Sequence, residues 1–363
     1  MNDNQPNIQR DNQGVTEQVP FGFGTVHHNL TDLMPASSEV GFLWNNYLAA
    51  NISTCYLTKW VNEATDPEIK SALQMELDAA SNAWKETEGL LKSINYPTPM
   101  GFVVKEDIDI NAPVLFSQSF KLLFTRMMQR MLIQFLVPAV TSSYRTDFQD
   151  YFHNQLKTAA DRHRKYTEIL LSKGILQKHP SIVQPHRAEK VLDKDFFGSY
   201  FGFFRNQRPL TAVEIGHIYS IMEIKQLIRQ FHEGCCQVVK SEKVKILLLK
   251  ARDIADKQLD SLGHILTEQD VPRPSISDIL ITDSTESGVS DRLILNLSTA
   301  VTAFMATSYG EAVSTVARKD IGVTMLRFMA EKLSFAKDAA ELAIEFGWLE
   351  KMPQTVDRQQ LIH

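Results

Sequence analysis

The sequence predicts an all-α protein in which one four-helix unit occurs twice. Two observations carry that expectation. Hydrophobic residues recur at helical rather than strand spacing, and a set of landmarks returns in the same order in the second half.

An internal repeat decides the fold. Glu39-Val-Gly-Phe-Leu-Trp44 returns as Glu214-Ile-Gly-His-Ile-Tyr219, and Pro97-Thr-Pro99 as Pro272-Arg-Pro274, each displaced by 175 residues. Arg145-Thr-Asp147 returns as Arg318-Lys-Asp320, and Gly174-Ile-Leu176 as Gly347-Trp-Leu349, each displaced by 173. The second copy has therefore lost two residues in between.

Within a copy the apolar stripes define four helices. Val40, Leu43, Trp44, Tyr47, Leu48, Ile52 and Cys55 form the first. Ile69, Leu73, Leu77, Ala80, Trp84 and Leu91 form the second. The third runs through Phe116, Phe120, Leu123, Met127, Met131 and Phe135, the fourth through Phe148, Phe152, Leu156, Ala159, His163, Tyr166 and Leu170. Stripes this wide suit bundle helices. The second copy repeats the plan near 211–239, 241–268, 288–316 and 319–346.

Connection lengths predict the topology. Helices one and two, and helices three and four, are joined by short turns and so lie antiparallel. The link between helices two and three is long and holds Pro97, Pro99, Gly101 and Pro113. A link of about 18 extended residues reaches roughly 60 Å, more than the roughly 40 Å of such a helix. It can run the whole bundle length, which is the ferritin-like arrangement. The expected division is a polar tail over 1–29, a first bundle over 30–178, an aromatic-rich linker over 179–209, a second bundle over 210–352 and a tail over 353–363. In the linker, Phe196 to Phe204 is too aromatic for free chain and is expected to pack on the bundles, as is Phe21-Gly-Phe-Gly24.

Composition narrows the function classes. The 363 residues carry a formal charge of −5, which argues against general nucleic-acid binding. Three cysteines, Cys55, Cys235 and Cys236, make no disulfide framework and point to a reducing compartment. The N-terminus lacks signal-peptide character, and Met131–Pro138 is too short to span a bilayer. A soluble, cytoplasmic protein is expected.

A ferritin-like bundle raises the question of a two-metal centre, which needs inward carboxylates and paired Glu-x-x-His. Glu214 and His217 supply one such pair, with Asp260 and His264 expected at the same bundle end. The competing reading is a helix capping box, Thr211-Ala-Val-Glu214. Phe42 stands where the second copy has His217, so the pair is not duplicated. Asp150 and His153 read as a solvated face, and His163 as a core histidine. Glu76, midway along helix two, can face inward, yet no Glu-x-x-His accompanies it. There is no phosphate loop, Gly-x-Gly-x-x-Gly, Cys-x-x-Cys or Gly-x-Ser-x-Gly.

Several segments together resemble one family: Asn95-Tyr-Pro-Thr-Pro-Met-Gly-Phe102, Asp109-Ile-Asn-Ala-Pro-Val-Leu-Phe116, Arg208-Pro-Leu-Thr-Ala-Val-Glu-Ile-Gly-His217, Thr282-Asp-Ser-Thr285 and Phe346-Gly-Trp-Leu349. The chain is similar to the duplicated family of unknown function from spore-forming bacteria whose members are often labelled spore-coat-F-like. The resemblance implies a tandem ferritin-like fold and a link to the forespore or spore coat. It supplies no catalytic residue.

The leading expectation is a non-enzymatic structural or interaction protein, with protein partners or self-association and no cofactor. The alternatives are a metal-binding bundle with oxidase-type chemistry and a carrier that holds an apolar ligand between helices lined by Met and Phe. Any site should belong to one copy or to the junction, because the polar candidates do not recur.

Overall fold

The computed structural model describes residues 9–11, 14–18, 24–26, 32–199, 207–276 and 280–362, the first three stretches as backbone. Those three stretches are short strands, β1 (Gln9–Asp11), β2 (Gly14–Gln18) and β3 (Gly24–Val26), paired antiparallel in that order. They fall in the segment expected as a tail. Residues 21–23 and 200–204, two parts of the aromatic segments, lie outside the described residues.

The rest is helical. The first half contains α1 (Ser37–Glu63), α2 (Pro67–Ser93), the single turn α3 (Val104–Asp107), α4 (Gln118–Thr141) and α5 (Thr146–Ser172). A 3-10 turn (Lys194–Phe197) lies in the linker, where the Arg208 guanidinium stacks 4.1 Å from the Phe196 ring. The second half contains α6 (Ala212–Val238), α7 (Glu242–Thr267), α8 (Asp291–Thr315) and α9 (Lys319–Glu345), followed by α10 (Arg358–Ile362). In each half two helical hairpins are joined by a long crossover, as the connection lengths predict.

Local chemistry sets the helix ends. Asp66, Ser117, Ser241 and Ser290 each accept a backbone N–H from the first turn that follows. Gly174 and Gly347 close α5 and α9 with φ of 68° and 67°, a conformation that costs glycine least. The repeated Gly-x-Leu landmarks are therefore helix stops. Glu39 and Glu214 have equally specific work. Each fully buried carboxylate caps its own helix, taking the N–H of Ala36 or Thr211, and also binds the N–H of Arg145 or Arg318 at the entrance to the last helix. Arg145 and Arg318 in turn pair with Asp147 and Asp320 at 2.8 and 2.6 Å.

The two halves meet through their crossovers. Ile108 faces Val289 and Phe116 faces Ile281 in antiparallel bridges. The backbone bonds come in matched pairs: Asp109 N–H to the Gly288 carbonyl and Thr282 N–H to that of Leu115, Ser117 N–H to Leu280 and Ser290 N–H to Asp107. Displacing either bond of a pair by 173 residues gives the other with the halves exchanged, so the contact is a pseudo-two-fold, self-complementary one. Around it, Phe231 of α6 contacts Tyr56, Phe116 and Phe124 with ring centroids 6.3, 6.1 and 5.2 Å away. One hydrophobic core runs through both halves, and each half keeps a smaller cluster of its own.

Candidate functional site

The sequence-predicted polar candidates are dispersed. Glu214 is a capping residue: its carboxylate holds the Thr211 and Arg318 N–H groups and a two-pronged contact from Arg208 at 2.8 Å. Burial opposes its ionisation, but these donors outweigh burial and bring the carboxyl down to about 2. His217 Nε2 pairs with Thr315 Oγ1 at 2.7 Å, and exposed His264 pairs with Glu268 on its own helix at 3.0 Å. Asp260 is exposed. Among the described residues no three His, Cys, Asp or Glu side chains gather into a metal-binding group. Asp150 and His153 are exposed, whereas His163 is half-buried and lowered to about 4 by burial and by Arg126 and Arg130. The three cysteines are buried and free.

Glu76 does face inward, and it leads to a larger feature. A cavity of about 520 Å³ lies between α1, α2 and α4 of the first half, with α8 of the second half along its side. This is within the range of about 300–1,000 Å³ usual for small-molecule sites. Its walls are Leu48, Ile52, Met128, Met131, Leu132 and Phe135, with Leu297 and Phe304 from α8. The lining residues Asn45, Pro138, Ala303 and Thr307 are exposed and mark the mouth. At the inner end Arg162 Nε binds Glu76 at 3.0 Å, and Gln129 Nε2 donates to the other oxygen of the same carboxylate. Burial raises the Glu76 carboxyl, against the lowering effects of Arg162 and Gln129.

The repeat explains why the space exists. Ala50 and Ala83 line it. Their counterparts, 175 residues on, are Lys225 and Gln258, both 1% exposed. There Lys225 Nζ and the Tyr309 hydroxyl both donate to Gln258 Oε1, filling the equivalent volume. Glu76 and Arg162 are likewise replaced by Ala251 and Phe335, which pack in the apolar cluster of the second half. One scaffold thus carries an open interior in one copy and a filled one in the other. Ala49-Ala50 and Ala79-Ala80, read against Ile224-Lys225 and Ile254-Ala255, are the sequence signal of that inversion. The stripes alone hide it, because alanine fits an apolar face without filling it.

The family described as "Protein of unknown function (DUF3231)" matches the chain twice, over residues 31–187 and 199–361. No curated protein matches it. Among solved structures, a "putative spore coat protein" from Bacillus halodurans C-125 is 18% identical with a TM-score of 0.38, over 41% of this chain and 98% of that one.

Proposed function

The chain belongs to the DUF3231 family of unknown function, and from that premise we propose that it is a non-enzymatic binding protein whose first bundle takes up an apolar small molecule. The observation that supports this reading is the cavity itself. A packed core leaves few voids larger than a water molecule, and an unfilled apolar void costs stability roughly in proportion to its volume. A space of about 520 Å³ with an exposed mouth is far beyond such defects. The duplicated copy supports the same view, since the scaffold can close that volume with two buried side chains. The expectation of a carrier lined by Met and Phe is thus favoured over the purely structural role. An apolar fluorophore such as N-phenylnaphthylamine tests it directly. Saturable binding near one probe per chain is expected, with native mass spectrometry of freshly purified protein showing a bound small molecule. Fluorescence no greater than that of a fully packed control protein would end this reading.

A further inference from the structure

The outer face of α9 carries a feature independent of the cavity. Val323, Leu326, Ala330, Leu333, Ala340 and Ile344 fall at alternating steps of three and four along this helix, with Lys337 completing the row. That is the a/d spacing of a coiled-coil seam. A bundle helix needs one apolar face, and α9 already has it, since Ile321, Met325, Phe328, Phe335 and Ala339 are buried. The second row is on the outside: Val323, Leu326, Leu333 and Ile344 are between 41% and 62% exposed. Single exposed apolar residues are ordinary, whereas a contiguous row marks an interaction face.

The repeat supplies a control. Displaced by 173 residues onto α5, the positions of Val323, Leu326, Ala330 and Lys337 carry Asp150, His153, Lys157 and Arg164, all exposed. The scaffold accepts a solvated face here, so the apolar row is not needed to build the bundle.

Charge points to a second copy of the chain as the partner, and to its direction. In a parallel pairing Lys337 would meet Lys337 of the second copy, and the flanking Arg327 and Glu341 would lie beside Gly322 and Ala336, with no opposite charge. In an antiparallel pairing the row closes on itself. Leu326 meets Ile344 of the second copy, Ala330 meets Ala340, Leu333 lies along the stem of Lys337, and Arg327 comes opposite Glu341. Every one of these contacts forms twice about the two-fold axis. In the single chain Arg327 reaches Glu331 only at 4.0 Å and Glu341 reaches Lys337 at 3.4 Å, exposed pairs of little worth that leave both charges available.

We propose that α9 is a homodimerisation surface on which two copies of this chain pack their α9 helices antiparallel. From Val323 to Ile344 the row is roughly 32 Å long. One helix face of that length lies at the low end of the roughly 1,200–2,000 Å² that stable interfaces bury, so the dimer should form in the micromolar range.

Sedimentation velocity of the full chain, from about 1 µM to about 100 µM, tests this. A monomer–dimer equilibrium is expected. Leu326→Glu sets a carboxylate against Ile344 of the second copy at two places and should weaken the dimer at least about a hundredfold. Arg327→Glu should weaken it about tenfold, and adding Glu341→Arg should restore it, because the pair is then reversed intact. Met34→Glu, at an 88% exposed residue of the first half, should leave it unchanged. All these side chains are exposed, so circular dichroism should show native helix content in each variant. Should Leu326→Glu lose helicity, the charge reversal alone decides. A chain that stays monomeric to about 100 µM overturns the proposal, as does a dimer that a folded Leu326→Glu leaves intact. Failure of the reversed pair to restore dimerisation refutes the antiparallel pairing.

Discussion

Glu214 Oε1 accepts the backbone N–H of Arg318 at 2.9 Å, joining the first turn of α6 to the entrance of α9 across 104 residues of sequence. The same carboxylate caps α6 and is pinned by Arg208. Changing Glu214 to Ala orphans two backbone donors and removes the partner of a largely buried arginine, at an expected cost of roughly 2–4 kcal/mol. Glu214→Gln separates charge from shape. The folded carboxyl titrates near 2, below its unfolded value of about 4.3, so its contribution is fully present above that unfolded value and is lost as pH falls toward 2. The stability gap between the native protein and Glu214→Gln should be constant at neutral pH and close over that window. Urea midpoints across pH measure it, and a gap that persists to pH 2 would refute the assignment.

Much of this was legible in the sequence for a physical reason. Helix ends and hairpin turns are set by local chemistry, and the duplicated landmarks Glu39/Glu214, Arg145/Arg318 and Gly174/Gly347 mark those ends in both copies. The site was less legible because it is made by absence. Ala50 and Ala83 belong to the same apolar stripes as their neighbours, and only comparison with Lys225 and Gln258 shows that volume is missing. Gln129 and Arg162 carry no motif; they gain meaning from the inward turn of Glu76, which three-dimensional packing decides.

The size inversion between the copies makes a direct prediction. Ala50→Leu places a larger apolar side chain in the cavity wall, where the second copy accommodates Lys225. Probe affinity should drop by at least about tenfold, while stability stays within about 1 kcal/mol or rises, because the added methyl groups enter existing space. The matched change Ala255→Leu, in the filled second interior, should leave probe binding intact and cost about 1–3 kcal/mol through overpacking. Titration and thermal melts of both variants check this, and equal loss of binding would argue against a site confined to the first copy.

The shared core predicts that the halves do not melt independently. Phe231 lies on α6, yet its ring contacts Tyr56, Phe116 and Phe124 of the first half. Three of the four tryptophans, Trp44, Trp60 and Trp84, are in that first half. Phe231→Ala should cost about 3–5 kcal/mol and lower the denaturation midpoint reported by tryptophan fluorescence, although no tryptophan lies on its helix. Fluorescence and circular dichroism should give coincident transitions. A fluorescence midpoint untouched by the substitution would show that the halves unfold separately.

The filled interior of the second half carries its own liability. Lys332 is 1% exposed, and burial brings its ammonium down to about 8 despite the opposing effect of Glu331. Nearby His232 is fully buried with both ring nitrogens unpartnered, and burial and the charges of Lys332 and Lys225 hold it well below its ordinary value. Ala159 and Leu57 are their counterparts in the first copy, so the scaffold accepts apolar residues at both positions. For Lys332 the unfolded chain keeps its proton up to about 10.4, whereas the folded protein releases it near 8. Between those values the unfolded state binds more protons, so stability rises with pH; below pH 8 the penalty of the buried charge is complete. Lys332→Met should therefore stabilise the protein at pH 7 by about 1–3 kcal/mol, with the gain shrinking toward pH 10. The depressed His232 works in the same direction at lower pH: below about 6.5 the unfolded histidine takes up a proton that the folded one refuses, so stability falls on acidification. His232→Leu should remove that component alone. Stability curves of the two variants between pH 5 and 10 separate the contributions, and a Lys332→Met curve parallel to the native one across the alkaline window would show that the lysine is charged in the folded core.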